Sequence, residues 1–188
     1  MEKKEIKGYL EKILSYIGED PQREGLSETP DRILKSWEKI FGGYDQKPED
    51  VLKVFSDKDS LSVGQIVLLK DTEFFSTCEH HFLPFTGKAH LAYIPQAKVL
   101  GISKLARVLE IYARRLQIQE RIGNQVTDAL MKIAEPTGAA CIIEATHHCM
   151  ACRGVEKTSA TMVTSSLKGE FLKNPKSRQE LMALIKGV

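Results

Sequence analysis

Four of the five histidines and two of the four cysteines of this chain lie in two short stretches, Ser76-Thr77-Cys78-Glu79-His80-His81 and Thr146-His147-His148-Cys149. The stretches are about 70 positions apart, so a fold that unites them must bring the chain back across a long intervening segment. A shared metal ion explains such clustering. Zinc takes thiolate and imidazole ligands in a tetrahedral arrangement, and Cys-x-x-His in a tight turn lets two ligands converge from one piece of backbone. Cys78 and His81 have that spacing. If the second stretch is a strand, His147 and Cys149 look to one face and His148 to the other.

Two sites fit these residues. Cys78, His81 and Cys149 as three ligands with an open fourth position match a catalytic zinc, which binds water and lowers its pKa to about 7. His80 and His147 are then free to move protons at neutral pH. Alternatively, Cys149-Met150-Ala151-Cys152 joins Cys78 and His81 in a closed Cys3His structural site. The chain is long enough to fold without a metal staple, which favours the first. A strand would also turn Cys152 away from Cys149. The residues alone leave both readings open.

At 188 residues and 42% hydrophobic, the chain has material for one ordinary domain with its own core. Its net charge of +2, with acids and bases interleaved, argues against a nucleic-acid surface. No apolar run reaches the roughly 18 residues of a membrane span, and Met1-Glu2-Lys3-Lys4-Glu5 opens no signal peptide. A cytoplasmic location without a membrane partner is expected. Cys141 lies in an apolar run and reads as a core residue.

Apolar spacing predicts a helix over 3–17 with Gly18 as its cap. A second helix starts at Thr29-Pro30-Asp31 with Thr29 at the N-cap and Ile33, Leu34, Trp37, Ile40 and Phe41 as a buried stripe. Residues 42–62 read as a connection. Strands are predicted from Val63 to Ser76 and over 87–94, then a helix capped by Ser103 to about Leu116 and another over 119–134. Strands over 139–145 and 159–165 and a helix over 177–185 complete the chain. This separates an N-terminal helical region, 1–60, from a domain over 61–188. The class is α+β: a four-stranded antiparallel sheet with a helix pair, ββααββ, preceded by N-terminal helices. Two open sheet edges need cover, which a ring of subunits supplies.

Between the metal half-sites, Gly101-Ile102-Ser103-Lys104-Leu105-Ala106-Arg107 sets a hydroxyl and two cations at a helix start, where anions are attracted. With Arg153 this suggests a phosphate pocket. Ser103 as a helix cap and Lys104 and Arg107 as a solvated face are the alternatives. Glu120 can read a guanine edge, or simply favour the helix start it occupies.

Ser76 to His81, Gly101 to Arg107, Gln117 to Arg121 and His147 to Gly154 together resemble GTP cyclohydrolase I of the zinc-dependent type. The resemblance runs from about Thr29-Pro30-Asp31-Arg32 to the C-terminus, with four motifs in order. It implies the tunnelling fold, in which antiparallel sheets of several subunits form a barrel, and a homodecamer of two pentamers with shared active sites. It implies one zinc per subunit on Cys78, His81 and Cys149, with a zinc-bound water attacking C8 of GTP. Formate leaves, and rearrangement and ring closure give 7,8-dihydroneopterin triphosphate, the first step of pterin and tetrahydrofolate biosynthesis. His80 resembles the general acid/base, assisted by His147 and Ser103. Glu120 matches the guanine-reading carboxylate, Gln119 a neighbouring substrate contact, and Lys104, Arg107 and Arg153 the triphosphate cations. Cys152 departs from the family's usual pattern, and the first 28 residues carry no diagnostic motif.

Overall fold

Residues 1–56 and 64–187 are described in this computed structural model. The chain divides into two compact units, Met1–Gly42 and Gly43–Val188. In the first, α1 (Lys3–Tyr16) packs on α2 (Thr29–Ile40), joined by ion pairs from Lys3 to Glu38 and from Lys7 to Asp31. Gly18 ends α1 at φ +94°, a left-handed conformation that disfavours side chains. The N-cap of α2 is Glu28, so Thr29 is the first helical residue and not the cap. The apolar stripe is only half-buried at Ile33, Leu34, Trp37 and Ile40, and Ile13 and Ile17 are exposed. Two helices packed on each other cannot enclose the whole of both stripes between them.

The second unit contains α3 (Pro48–Val51), β1 (Val54–Phe55), β2 (Val67–Cys78), β3 (Pro84–Ile94), β4 (Val99–Leu100) and α4 (Ile102–Ala113). Then come β5 (Leu116–Gln117), α5 (Gln119–Ala134), β6 (Gly138–His147), α6 (His148–Ala151), β7 (Met162–Gly169), α7 (Glu170–Lys173) and α8 (Pro175–Lys186). The main sheet runs β5-β2-β3-β6-β7, antiparallel throughout except where β5 joins β2 in parallel. The α+β class therefore stands. A two-residue strand such as β5 is too short to leave a periodic signal, which is why the sheet has one strand more than expected.

Period-two alternation gives the sheet two different faces. Phe74, Cys78, Phe85, Leu91, Tyr93, Cys141 and Ile143 pack with Leu105, Val108 and Leu109 of α4 and Ile122, Val126 and Leu130 of α5. On the other face Ala92, Ile94, Ala140 and Ile142 meet Phe171 of α7 and Leu181 of α8. Each fully buried large apolar side chain contributes about 1.5–3 kcal/mol. Cys141 is completely buried in this core, and burial pushes its thiol up to about 12. β3 and β6 approach so closely at Gly87 that a Cβ there would lie 1.9 Å from the Glu144 carbonyl oxygen.

Several boundaries differ from the sequence reading. β2 is one strand with a register shift between Leu69 and Thr72, where Asp71 takes φ 55°. Its expected start at Val63, part of the 42–62 connection and the 60/61 boundary lie outside the described residues. β6 continues to His147, and β7 begins at Met162 instead of residue 159. The N-cap of α4 is Gly101, so Ser103 sits inside the first turn and makes no cap; α4 ends at Ala113.

Candidate functional site

β2 ends at Cys78, and the chain must reverse within five residues to begin β3 at Pro84. The Phe82 N–H donates to the Cys78 carbonyl at 2.9 Å, and the Cys78 N–H donates to the Leu83 carbonyl at 2.9 Å. Phe82 at φ 57° completes the reversal. The turn folds both imidazoles back over the cysteine. His81 Nδ1 lies 3.8 Å and His80 Nδ1 3.9 Å from Cys78 Sγ. Cys78 is buried, while His80 and His81 are exposed.

The second half-site arrives through the sheet. β3 pairs with β6 so that Phe85 stands opposite His147, and their rings stack at 4.5 Å between centroids with 5° between planes. After His147 the chain leaves the sheet, and Cys149 sits on the single helical turn α6. The strand geometry expected for His147 to Cys149 therefore stops at its first residue. The same change removes the argument that set Cys152 opposite Cys149, because residues three apart on a helix are neighbours. Cys152 is nevertheless exposed.

Cys78 Sγ, Cys149 Sγ and a His81 ring nitrogen all lie within 4.8 Å of one another, a group that could hold a metal ion. The donor set can be tested against zinc. Zn–S of about 2.3 Å and Zn–N of about 2.0 Å in a tetrahedron separate sulfur from nitrogen by about 3.6 Å. The 3.8 Å between Cys78 Sγ and His81 Nδ1 fits. Burial, and then the adjacent Cys78 sulfur, push the Cys149 thiol above its ordinary value. A thiol raised in this way keeps its proton unless a cation takes its place.

Further side chains complete the surroundings. Arg153 Nη1 is 2.7 Å from His81 Nε2. Gln119 is buried at the start of α5, with Oε1 2.9 Å from His147 Nε2. Burial holds His147 below the usual histidine value, and the nearby Glu120 carboxylate partly offsets this. Glu120 itself is exposed on the first turn of α5. On α4, Ser103 and Arg107 are exposed and Lys104 is half-buried, with no side-chain hydrogen bond among the described residues. The structure thus gathers Cys78, His80, His81, Cys149 and Arg153 in one place and ties His147 to Gln119. It leaves Ser103, Lys104 and Arg107 as an open cationic turn.

Sequence reading missed Glu79 and Arg121. Arg121 grips Glu79 through both terminal guanidinium nitrogens, with Nη2 at 3.0 Å from Oε1, and this pair holds the Glu79 carboxyl below its ordinary value. The Glu79 N–H also donates to the Gln117 carbonyl at 3.1 Å. Two opposite charges 42 positions apart give no local signal. Both residues nevertheless lie inside the motifs that carry the family resemblance.

A sequence model of the family described as GTP cyclohydrolase I matches residues 6–186, reaching well before Thr29 where the motif resemblance began. A protein named GTP cyclohydrolase 1 from Wolinella succinogenes is 49% identical over 178 residues, covering 94% of each chain. Another of that name from Thermoanaerobacter pseudethanolicus is 47% identical over 186 residues, covering 98% of this chain and 97% of its own. Among solved structures, the archaeosine synthase QueF-Like in the apo form is similar at a TM-score of 0.46 and 16% identity, over 55% of this chain and 93% of that one. Matched along nearly its whole length by the family's pattern and aligned almost end to end with relatives of that name, the chain belongs to the GTP cyclohydrolase I family.

Proposed function

We propose that the chain opens the imidazole ring of GTP at C8 by zinc-dependent hydrolysis, releases formate, and closes the rearranged product to 7,8-dihydroneopterin triphosphate. In a member of this family, the observation that carries the reading is the convergence of Cys78, His81 and Cys149 within 4.8 Å from two distant segments. Zinc bound there would supply Lewis acidity and acidify a coordinated water. The remaining work falls to the chain's own side chains.

His80, exposed beside Cys78, gives a proton to the purine as its ring opens and takes one back as the ribose rearranges. His147, held half-buried against Phe85, assists, and Ser103 orients the substrate by its hydroxyl. Glu120 accepts two N–H groups from the guanine edge, with Gln119 as its neighbour. Lys104 and Arg107 on the first turns of α4, joined by Arg153, neutralise the triphosphate.

The main sheet ends in β5 and β7, which supports its extension by neighbouring copies into the barrel of a tunnelling fold. The assembly proposed is a homodecamer of two pentamers with active sites shared between subunits and one zinc in each, so that a monomer is inactive. No helix among the described residues is long and apolar enough to cross a membrane, and the proposed location is the cytoplasm. The test is incubation of purified protein with GTP, with and without a chelator. Formate and the fluorescence of the oxidised pterin are expected only without it. Stoichiometric metal with unchanged GTP would identify a metal-stabilised binding module instead.

A further inference from the structure

Gln119 is 1% exposed, yet every polar atom of its side chain has a partner. We infer that its side chain is a positioning group, fixing the ring orientation and tautomer of His147, and not a contact to the substrate. The inference rests on the reading of His147 as a proton carrier.

The amide can sit only one way round. Its nitrogen lies 3.0 Å from the Ile143 carbonyl oxygen, 3.1 Å from the Met162 carbonyl oxygen and 3.1 Å from Thr164 Oγ1. Carbonyl oxygens only accept, so the NH2 group must face them; the flipped amide would set Oε1 against two oxygens with no proton between. Oε1 is therefore the atom 2.9 Å from His147 Nε2. An amide oxygen also only accepts, so Nε2 carries the proton of the neutral ring and Nδ1 carries the lone pair.

Three elements enforce this choice: Gln119 comes from α5, the Ile143 carbonyl from β6 and the Met162 carbonyl from β7. Phe85, stacked on the ring at 4.5 Å, holds its plane from β3. With both amide protons shared among three acceptors, no side-chain N–H of Gln119 remains for a guanine oxygen. His147 enters the reaction as an acceptor through Nδ1 and cannot donate until it has first taken a proton. Donation falls to His80, which is exposed, with Nδ1 3.9 Å from Cys78 Sγ and Nε2 3.9 Å from a Glu79 carboxylate oxygen.

The direct test is a long-range proton–nitrogen correlation spectrum of full-length, zinc-loaded protein containing 15N-histidine, with the His147 signals assigned by their loss in His147→Gln. The proton is expected on Nε2; finding it on Nδ1 overturns the proposal. In Gln119→Met the kcat for GTP should fall about 10²-fold, the scale of one lost proton-transfer group. KM should move by less than about threefold and the zinc content should not change. A raised KM with kcat retained would make Gln119 a substrate contact and defeat the proposal. Gln119→Glu keeps an oxygen that accepts from Nε2, and it should recover most of the lost kcat. Should Gln119→Met fail to fold, the wild-type spectrum and Gln119→Glu still decide. Failure of the wild-type protein to open GTP would sink the functional reading alone, because the tautomer is measured without turnover.

Discussion

Four thiols in this chain occupy four environments, and their reactivity should separate accordingly. Cys141 is fully buried with its thiol pushed up to about 12, whereas Cys152 is exposed. Only thiolate attacks an alkylating agent. Iodoacetamide at pH 8 should label Cys152 first in the native zinc-loaded protein and reach Cys141 only after unfolding, as read by peptide mass spectrometry; early labelling of Cys141 would contradict the core described here. For the metal, Cys149→Ala should lose zinc and GTP turnover, while Cys152→Ala keeps both. Metal analysis of the two variants decides, and loss of zinc from Cys152→Ala would restore a closed four-ligand site. His147 gives a pH signature. Its burial lowers its folded value, so the unfolded chain binds the proton more readily. The stability this contributes is fully present above about 6.5 and is lost as pH falls through the lower folded value. His147→Gln should therefore lose stability less steeply than the parent between pH 6.5 and 5 in urea titrations. The candidate ligands were legible as residues because Cys-x-x-His and the second Cys carry their spacing in the sequence; Glu79 and Arg121 were not, because their meeting is a product of the fold.

At the scale of elements, the long strands and helices were readable and their ends were not. The apolar period fixes a helix such as α5, Gln119–Ala134, over many residues, but a single turn such as α6 has no period to detect. A strand reading of His147 to Cys149 therefore fails after its first residue. Ser103 has the right chemistry for the cap of α4, yet Gly101 takes the position by backbone alone, with no side-chain bond. Close packing of β3 on β6 supplies a further test. Gly87→Ala forces a Cβ to within 1.9 Å of the Glu144 carbonyl oxygen, so backbone must shift. A loss of about 1–3 kcal/mol is expected from overpacking of this kind. An unchanged melting temperature in Gly87→Ala would show that the strands are further apart.

For the whole molecule, the apolar core lies between the sheet and α4 and α5, built almost wholly of aliphatic and aromatic side chains, and is expected to form without an ion. Chelated protein should keep its far-UV circular dichroism and a cooperative melt, with the melting temperature rising on added zinc by simple mass action. Collapse of the secondary structure on chelation would instead make the metal a folding staple. The reason lies in the first turn of α5, which holds the two halves of the site at once: Arg121 on Glu79 of the first turn and Gln119 on His147 of the second. A cage held open in this way should load as a simple bimolecular capture. The observed loading rate would rise in proportion to zinc concentration and show no plateau, whereas a site that had to assemble around the ion would saturate at the speed of its own closure.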